Sequence, residues 1–483
     1  MPPLDPPPSW RGRLLAGRVW LVAVVTLFAA AHLYRIGDGP GGFHECREAD
    51  TASVAENFYA ESWDALRPRV HARGAGAGVV GQEFPLYNYT TAVLWRALGY
   101  SHAWPRLLSV LAACLYLVAV HRLVRVLGLP APVAGLAVFA LACSPLVFFY
   151  GRKIMPDVLA AALVTCGLVS ALGWARDGRR GAAVLGAALL ALGGLVKPTH
   201  LCAGTPLLVM LVERRGWRAL ASRSVWLFGL AVLLPVGAWY AHARALGGDY
   251  FLLQAPLADS WRALRTAAPY KRLFLQWPWE LWLVSPLDWA FPVGVWALAR
   301  RPQARCLAAW IAGCYLVMFA FASQLGPHDY YTLPLAAPVA IVAAAGLAWA
   351  LERGGRLAPA LVVLTMVAMP AVTWGRIHHR YSARYDFAAG RALAAAHLAP
   401  DARVVAYDYT AGLVLYRLGR FGWTLSRPED LGRVPELARQ GARYLAVQSR
   451  EEVDLSPVGR SLGPELFRHH DIVVYALRQE LGP

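Results

Sequence analysis

The densest group of charged residues in this sequence lies just after its first long apolar run. Glu45, Arg47, Glu48 and Asp50 place four charges within six residues. On a helix, Arg47 and Asp50 would stand three residues apart and could form an ion pair. The simpler alternative is a solvated helix start, where acidic residues are favoured by the helix dipole.

Two further segments combine a polar side chain with aromatic residues. Glu83 precedes a Phe-Pro pair at the start of an apolar run, and Tyr87 follows that pair; the simpler role of Glu83 is that of a helix-start acid. His328 is followed closely by Tyr330 and Tyr331, which could bind a phosphate or a sugar, or could belong to the aromatic belt at a membrane surface. Both segments are candidates for contact with a polar substrate.

Three cations stand at the ends of apolar runs. Arg152 and Lys153 are adjacent in a short turn, and Lys197 closes another apolar run. Adjacent cations at a lipid boundary suit a phosphate group, although anchoring to lipid headgroups or snorkelling of a long side chain would place the same residue types there. Lys197 lacks the glycine-rich context of a P-loop, so it does not belong to that nucleotide-binding motif.

The composition indicates the class of protein to which these segments belong. Of 483 residues, 57% are apolar and 16% are charged, and the mean hydropathy is +0.41. A soluble domain carries about 25% charged residues, and a disordered chain would not be so apolar. The 47 basic and 30 acidic residues give a net charge of +17, but the arginines are spread over short loops between apolar runs. We therefore expect a membrane protein with many spans, and no nucleic-acid partner.

Apolar runs of membrane-spanning length predict about eleven transmembrane helices. The runs lie near residues 17–35, 105–121, 131–149, 157–175, 181–197, 200–212, 225–242, 283–299, 306–323, 332–351 and 357–374. Arginines collect in alternate loops, at residues 122–125, 176–180, 214–223, 300–305 and 353–356. With eleven spans these loops all fall on one side, which the positive-inside rule makes cytoplasmic.

The opposite, outer side receives the longest connecting segments. Residues 36–104 form the first outer loop, and their helical periodicity and many aromatic residues predict amphipathic helices on the membrane. Residues 376–483 contain short strand-like runs and a helix-like segment, which predict a small α/β domain. We therefore expect an all-α transmembrane domain over residues 1–375 and a soluble extracytoplasmic domain over residues 376–483.

The interiors of the predicted spans are almost free of charge. Proton- and ion-coupled transporters usually need ionisable groups near the membrane midplane, whereas here the acids and bases collect at the predicted outer boundary. This distribution favours chemistry at the interface, on a substrate with an apolar part in lipid and a polar head in water.

Five short motifs follow one another along the chain. They are Arg47–Ala55, Glu83–Tyr87, Arg106–Ser109, Lys197-Pro198 and Tyr330–Pro338. Their order resembles that of the GT-C superfamily of membrane glycosyltransferases. Within it, the chain is most similar to the family 39-like branch that contains protein O-mannosyltransferases and the aminoarabinose transferases of lipid A. The resemblance covers residue 17 to about residue 375, whereas the C-terminal domain is similar only in its placement.

One departure from that family concerns two charges. Arg47 stands where the aminoarabinose transferases have a catalytic aspartate, and Glu83 stands where they have a lysine. An Arg-x-x-Asp-Thr motif combined with a Glu-Phe-Pro motif looks more like those of many bacterial sugar transferases. The choice of base is left open among Asp50, Glu83, Glu45 and Glu48.

The resemblance implies an inverting transferase of the bacterial inner membrane with its active site on the extracytoplasmic side. The donor would be a sugar on a polyprenyl phosphate, and the acceptor a lipid, a glycan or a protein. Besides the four carboxylates, with Asp50 preferred as base, the implied site comprises the donor-phosphate ligands Arg152, Lys153, Lys197 and His328, and the substrate-binding residues Arg47, Tyr87, Tyr330 and Tyr331.

The remaining expectations concern a metal cofactor and two alternative functions. No metal is required, because the leaving group already carries a phosphate, although the neighbouring carboxylates could hold a divalent ion. A flippase or transporter of a polyprenyl-linked sugar would need polar groups along a path through the spans, which are lacking. A non-catalytic envelope assembly protein would use the C-terminal domain as a docking module, and its charged loops would be dispensable.

Overall fold

The computed structural model describes residues 17–247, 257–326, 328–381, 385–408, 412–449 and 453–478. The chain divides into two compact units. The bundle unit comprises Met1–Ile36, Leu107–Ala241 and Phe251–His378, and the sheet unit comprises Gly37–Arg106, His242–Tyr250 and His379–Pro483. The first outer loop and the C-terminal part of the chain thus belong to one unit, although they are far apart in the sequence.

Most of the described residues are helical. In chain order the helices are α1 (Arg18–His32), α2 (Glu45–Ala60), α3 (Leu86–Leu98), α4 (Ala103–Val126), α5 (Ala131–Ala142), α6 (Pro145–Tyr150), α7 (Asp157–Asp177), α8 (Arg180–Val196), α9 (Thr205–Arg215), α10 (Arg223–Leu246), α11 (Leu257–Leu264), α12 (Ala290–Leu298), α13 (Gln303–Ala320), α14 (Leu333–Arg353), α15 (Ala358–Ile377), α16 (Phe387–His397), α17 (Leu413–Leu418) and α18 (Val434–Arg439). Tighter or wider helical turns connect several of them, at Pro198–Gly204, Lys271–Gln276, Pro278–Trp282 and Asp329–Thr332.

Fewer helices than predicted have the length of a complete membrane span. Among the described residues, six are long and apolar enough to cross a membrane, namely α4, α7, α10, α13, α14 and α15, the last two with their adjoining helical turns. The shorter apolar helices α1, α5 and α8 have 10–17 residues each. The predicted total of eleven transmembrane helices is therefore not confirmed.

Proline explains why two predicted spans are shorter helices. The predicted span 131–149 is interrupted after Ala142, and α6 starts at Pro145. The predicted span 200–212 is preceded by a tight turn that starts at Pro198, and α9 follows only after it. A proline cannot donate a backbone hydrogen bond but suits the first turn of a helix. Helical hydrogen bonding therefore restarts at these prolines, which shortens each α-helix.

Helix α14 lies at the centre of the bundle unit, and nearly all of its residues are buried. It packs closely on α12 through Gly294 and Gly346. A Cβ on Gly294 would lie 1.8 Å from the Val342 carbonyl oxygen, and a Cβ on Gly346 would lie 1.9 Å from the Ala290 carbonyl oxygen. Small residues of this kind let helix backbones approach in a membrane, where van der Waals packing drives helix association.

The C-terminal part of the sheet unit has a five-stranded sheet. Its strands are β1 (Arg403–Tyr407), β2 (Gly422–Leu425), β3 (Ala442–Gln448), β4 (Leu462–His469) and β5 (Ile472–Leu477), in the order β2-β1-β3-β5-β4. β1 is parallel to β2 and β3, while β5 is antiparallel to β3 and β4. Alternate residues of β1 face opposite cores: Val404 packs with α16 and α17, and Val405 packs with α18. The strand-like runs in the sequence thus form a small α/β fold.

The apolar face of helix α2 packs against other parts of the protein. Val54 and Phe58 form a buried cluster with Val70 and with Ala92 of α3. The predicted helix is present, but the expectation that its apolar face lies on the membrane surface is wrong. Amphipathic periodicity identifies a buried face without identifying what covers it.

Two buried histidines make the sheet unit sensitive to acid. His71 and His102 are 3% and 8% exposed. His71 Nδ1 lies 3.5 Å from Asn57 Nδ2, and His102 Nε2 lies 2.9 Å from the Tyr416 hydroxyl. Burial lowers the pKa of His71 to about 4 and the pKa of His102 to about 3, because a buried imidazolium loses its hydration.

We predict that acidification destabilises the protein from about pH 6.5 down to about pH 4. In this range the unfolded chain binds protons at His71 and His102 that the folded chain does not bind, so the free energy of unfolding falls with pH. The thermal midpoint of the detergent-purified protein should be lower at pH 5 than at pH 7.5, and His71→Gln should flatten this dependence. An equal or higher midpoint at pH 5 would contradict the prediction.

Candidate functional site

Helix α2 starts at Glu45 because the preceding backbone turns sharply. Gly42 has a φ of 76° and His44 a φ of 61°, and a Cβ on Gly42 would lie 2.1 Å from the Arg380 carbonyl oxygen. The Gly42 N–H donates to Glu45 Oε2 at 3.2 Å. The carboxylates of Glu45 and Glu48 complement the helix dipole, but both are buried. This helix start is therefore enclosed by protein and not solvated.

Arg47 connects two carboxylates from different segments of the sheet unit. Its Nη1 lies 2.6 Å from Asp50 Oδ2, and its Nη2 donates to Glu83 Oε1. Arg47 and Asp50 are neighbours on one face of α2, whereas Glu83 comes 36 residues after Arg47, just before α3. Asn88 of α3 donates to the Thr51 carbonyl oxygen at 2.7 Å and holds the two helices together. The structure thus brings together three predicted site residues, which we call the Arg47 cluster.

Asp50 is the carboxylate of the Arg47 cluster that a substrate can reach most easily. Its side chain is 28% exposed, compared with 4% for Glu83 and 0% for Glu48. Gln82 Nε2 lies 3.3 Å from both Asp50 carboxylate oxygens. Burial raises the pKa of Asp50, and the positive charge of Arg47 opposes this shift. Asp50 is therefore oriented by two donors and binds a proton more readily than a hydrated aspartate.

Glu48 is part of a buried ion pair that supports the backbone before α2. Its Oε1 lies 3.0 Å from Arg106 Nη1, and its Oε2 accepts from the Gly41 N–H at 3.3 Å. Arg106 also donates to the carbonyl oxygens of Asp38 and Gly39, at 2.8 and 2.9 Å. These contacts tie the start of α4 to the chain ahead of α2, so Glu48 stabilises the fold of this segment.

Lys197 and Asp157 form a buried ion pair in the bundle unit. Lys197 Nζ lies 3.1 Å from Asp157 Oδ1, and the two side chains are 1% and 0% exposed. Lys197 Nζ also lies 5.3 and 5.4 Å from the ring centroids of Tyr330 and Tyr331, within the range of cation–π attraction. Ionisable residues enclosed in membrane proteins are costly and usually functional. Asp157 was not identified from the sequence as the partner of Lys197. Its position directly after Pro156, at the start of a helix, could have marked it as a candidate.

The adjacent cations Arg152 and Lys153 have different environments in the turn between α6 and α7. Arg152 donates to two consecutive carbonyl oxygens that follow α1, those of Tyr34 and Arg35. Its Nη2 lies 2.7 Å from the Arg35 carbonyl oxygen. Lys153 Nζ lies 5.0 Å from the ring centroid of Phe149, and the Lys153 carbonyl oxygen accepts from Ser109 Oγ at 2.6 Å. Arg152 therefore ties the turn to α1, whereas Lys153 holds a buried ammonium above an aromatic ring.

The tyrosines and the histidine that were predicted to bind substrate all contact other residues of the protein. Tyr87 is 1% exposed, and its hydroxyl donates to the Pro105 carbonyl oxygen at 2.6 Å. Tyr330 and Tyr331 are also buried, with ring centroids 4.7 Å apart. His328 Nδ1 lies 3.2 Å from the Tyr330 hydroxyl. Contacts of these four residues with a sugar or a phosphate stay predictions.

A second buried acid lies near Tyr330 in the bundle unit. The Tyr150 hydroxyl donates to Asp329 Oδ1, both side chains are buried, and the Tyr150 and Tyr330 rings meet edge to face at 5.8 Å. Sequence reasoning missed Tyr150, Asp329 and also Gln82 of the sheet unit. Tyrosine and glutamine carry no charge pattern, so only the fold identifies their partners.

Metal-binding residues do not converge within the described ranges. No group of three or more His, Cys, Asp or Glu side chains among the described residues has the arrangement of a metal site. Three of the candidate carboxylates instead have guanidinium partners, with Arg47 beside Asp50 and Glu83, and Arg106 beside Glu48.

We predict that Lys197→Met destabilises the protein by about 3–5 kcal/mol, because it leaves the Asp157 carboxylate buried without its partner. The double variant Lys197→Met/Asp157→Asn should recover most of the loss, since no uncompensated charge remains. Thermal unfolding in detergent measures both effects, and the exposed Lys271→Met is the matched control. A double variant as unstable as Lys197→Met would show that the ion pair is not the cause.

Comparisons with known proteins give a family match to part of the chain and likenesses of the fold. Residues 82–240 match the family model of dolichyl-phosphate-mannose-protein mannosyltransferases. The chain is similar to crystal structures of ArnT from Cupriavidus metallidurans, at 17% identity over 96% of this chain. The apo ArnT structure has a TM-score of 0.63 over 98% of its chain, and ArnT bound to undecaprenyl phosphate has 0.68 over 99%. Comparison with curated proteins by sequence gives no match.

A third similar structure is the Archaeoglobus fulgidus oligosaccharyltransferase in complex with zinc and sulfate. The TM-score is 0.61 and the identity 12%, over 96% of this chain and 74% of that chain. These likenesses show the fold over nearly the whole chain, and the family match covers the segment with Glu83, Lys153 and Lys197. The resemblance inferred from five short motifs is confirmed: residues 82–240 match a glycosyltransferase family model, and the chain has the fold of ArnT over nearly its whole length.

Proposed function

We propose that the protein is an inverting glycosyltransferase that moves a sugar from a polyprenyl phosphate to a hydroxyl group of a lipid, glycan or protein acceptor. The observation that carries this proposal is Asp50, a partly accessible carboxylate that Arg47 and Gln82 hold in place. The fold shared with ArnT bound to undecaprenyl phosphate supports a lipid-linked donor.

Asp50 is the proposed general base. Its carboxylate takes the proton of the acceptor hydroxyl while the hydroxyl oxygen forms a bond to the anomeric carbon of the sugar. The bond between that carbon and the phosphate oxygen breaks on the opposite face, so the configuration inverts. The raised pKa of Asp50 suits a base that must take a proton near neutral pH, and general-base assistance typically contributes about 10²–10⁴-fold.

The leaving phosphate needs positive charge, and its proposed ligands are Arg152, Lys153, Lys197 and His328. Lys197 is paired with Asp157, Arg152 donates to backbone carbonyl oxygens, and the buried Lys153 ammonium lies 5.0 Å from the ring centroid of Phe149. A cation in a site of low dielectric stabilises a developing negative charge more strongly than one in water.

The proposed step needs no metal ion. The leaving group is a phosphate that departs as an anion, and lysine side chains can stabilise that anion. The carboxylates near Asp50 are balanced by Arg47 and Arg106, so a divalent ion would have to displace a guanidinium partner.

The proposal places the reaction at the extracytoplasmic face of the bacterial inner membrane. The alternating arginine-rich loops of the sequence support this orientation. Residues 37–104 and residues 379–483 belong to one compact unit, which supports a common side for both. We retain a transmembrane domain over residues 1–375 and a soluble domain over residues 376–483 as part of this proposal.

We predict that Asp50→Asn lowers turnover of polyprenyl-phosphate sugars by about 10²–10⁴-fold, because the amide cannot accept the hydroxyl proton. The affinity for undecaprenyl phosphate should be unchanged, since the base acts on the acceptor. Purified protein is assayed with a panel of radiolabelled polyprenyl-phosphate sugars for transfer and for slow hydrolysis.

Asp64→Asn is the matched control for this assay, because Asp64 is an exposed carboxylate of the same outer loop that accepts from the local Leu66 N–H at 3.0 Å. It should keep wild-type turnover. Wild-type turnover in Asp50→Asn together with loss in Glu83→Gln would move the base to Glu83. Absence of turnover and of donor binding in the wild type would refute the proposed donor.

We predict that Lys153→Met weakens the binding of undecaprenyl phosphate by about 10–100-fold, since a hydrogen bond to a charged group contributes about 1.5–3 kcal/mol. Lys271→Met changes the same residue type at an exposed position and should leave the affinity unchanged. Titration of both variants by native mass spectrometry measures the dissociation constants. Equal affinities for Lys153→Met and wild type would remove Lys153 from the phosphate site.

A further inference from the structure

The C-terminal half of α2 is held by the α/β fold of the sheet unit. Glu56 comes six residues after Asp50 on this helix, about 9 Å further along its axis. Arg391, on α16, donates from Nη1 to Glu56 Oε1 at 2.7 Å and from Nη2 to Glu56 Oε2 at 2.8 Å. The same Nη2 donates to the Tyr416 carbonyl oxygen of α17 at 2.9 Å. This two-pronged ion pair therefore joins α2 to two helices that pack on the C-terminal sheet.

Aromatic side chains enclose this ion pair. The Arg391 guanidinium carbon lies 5.4 Å from the ring centroid of Tyr100 and 5.0 Å from that of Tyr416. The Tyr416 hydroxyl lies 3.0 Å from the Tyr100 hydroxyl and 2.9 Å from His102 Nε2. Burial acts to raise the pKa of Glu56, but the charges of Arg391 and nearby histidines together with the hydrogen bonds from Arg391 outweigh it, and the pKa lies below its usual value. The pair is charged at neutral pH, and loss of either partner would leave a partly buried charge alone.

A second set of contacts holds the same end of α2. Arg73 Nη2 donates to Asn57 Oδ1 at 2.7 Å, and the Arg73 guanidinium lies 3.5 Å from the ring centroid of Phe421. The backbone beside it extends the sheet edge at β2, where the Gly74 N–H donates to the Gly422 carbonyl oxygen at 2.7 Å. The first outer loop is thus joined to the C-terminal sheet through backbone and side chains.

These contacts act on the helix that carries the proposed base. A helix of this length is stiff over two turns, so a shift at Glu56 is transmitted to Asp50. The proton transfer depends on that position, because a misplacement of about 1 Å can lower turnover by about 10²-fold.

We propose that Arg391 is a positioning residue of the transferase: through Glu56 it ties the C-terminal α/β fold to α2 and thereby sets the position of Asp50. The C-terminal residues then serve turnover without contacting the reacting atoms. The expected effect of Arg391 on turnover rests on the proposed function. The expected effect of Arg391 on the stability of α2 does not.

The activity arm compares full-length variants of Arg391. Arg391→Gln removes the charge and is expected to lower kcat by about 10–100-fold with little change in the KM for the donor or in undecaprenyl phosphate binding. Arg391→Lys keeps the charge but not the two-pronged geometry and should recover part of kcat. The matched control is Arg468→Gln, which removes an exposed arginine paired with Glu465 at 3.3 Å and should leave kcat unchanged.

The structural arm measures hydrogen exchange of the amides at residues 45–55. Arg391→Gln should exchange faster there than wild type, and Glu56→Gln/Arg391→Gln should approach wild type because no partly buried charge is left unpaired. If Arg391→Gln does not fold, Arg391→Lys replaces it in both arms. Exchange at residues 45–55 equal to wild type in the folded variant would overturn the inference.

The two proposals fail in distinguishable ways. A wild type that neither binds undecaprenyl phosphate nor turns over any polyprenyl-phosphate sugar refutes the proposed function, while the exchange measurement still decides whether Arg391 positions α2. Wild-type kcat in Arg391→Gln, with an active wild type, refutes the positioning role alone.

Discussion

The guanidinium of Arg47 lies between two carboxylates that would repel each other without it. Asp50 comes from the same helix, and Glu83 comes from the chain just ahead of α3. Since two close carboxylates cannot both stay ionised in a partly buried space, the cation between them allows a charged base to persist there. The same contact joins α2 to the start of α3, so the geometry of the proposed base and the packing of the first outer loop depend on one side chain.

Charge is arranged differently in the two units. In the sheet unit, arginines neutralise carboxylates, and Asp50 stays partly accessible. In the bundle unit, lysine ammonium groups are buried against Asp157 or against aromatic rings. Both arrangements follow from the cost of an unpaired charge in a medium of low dielectric. A glycosyl transfer from a phosphate needs a base for the acceptor and a cation for the leaving group, and carboxylates and cations are the groups that the proposed function uses.

Local patterns predicted the parts of this protein that depend on neighbours in the sequence. The spacing of Arg47 and Asp50 predicted their ion pair, and the apolar runs predicted helices at nearly the right places. The predicted number of eleven spans is not confirmed, because prolines such as Pro145 interrupt apolar runs that look continuous by composition. The partner of Lys197 was missed, because Asp157 lies forty residues earlier and only the packing of α7 on α8 brings the two side chains together.

The sequence by itself indicated a membrane protein that resembles the GT-C glycosyltransferases and has acidic and basic residues at the ends of apolar runs, since composition, periodicity and short motifs are local properties. Only the tertiary structure decided which carboxylate a substrate can reach, which cations are engaged by the backbone, and that the C-terminal sheet holds the helix that carries Asp50. Accessibility and ion pairing depend on segments far apart in the chain, and their burial exists only once those segments have packed.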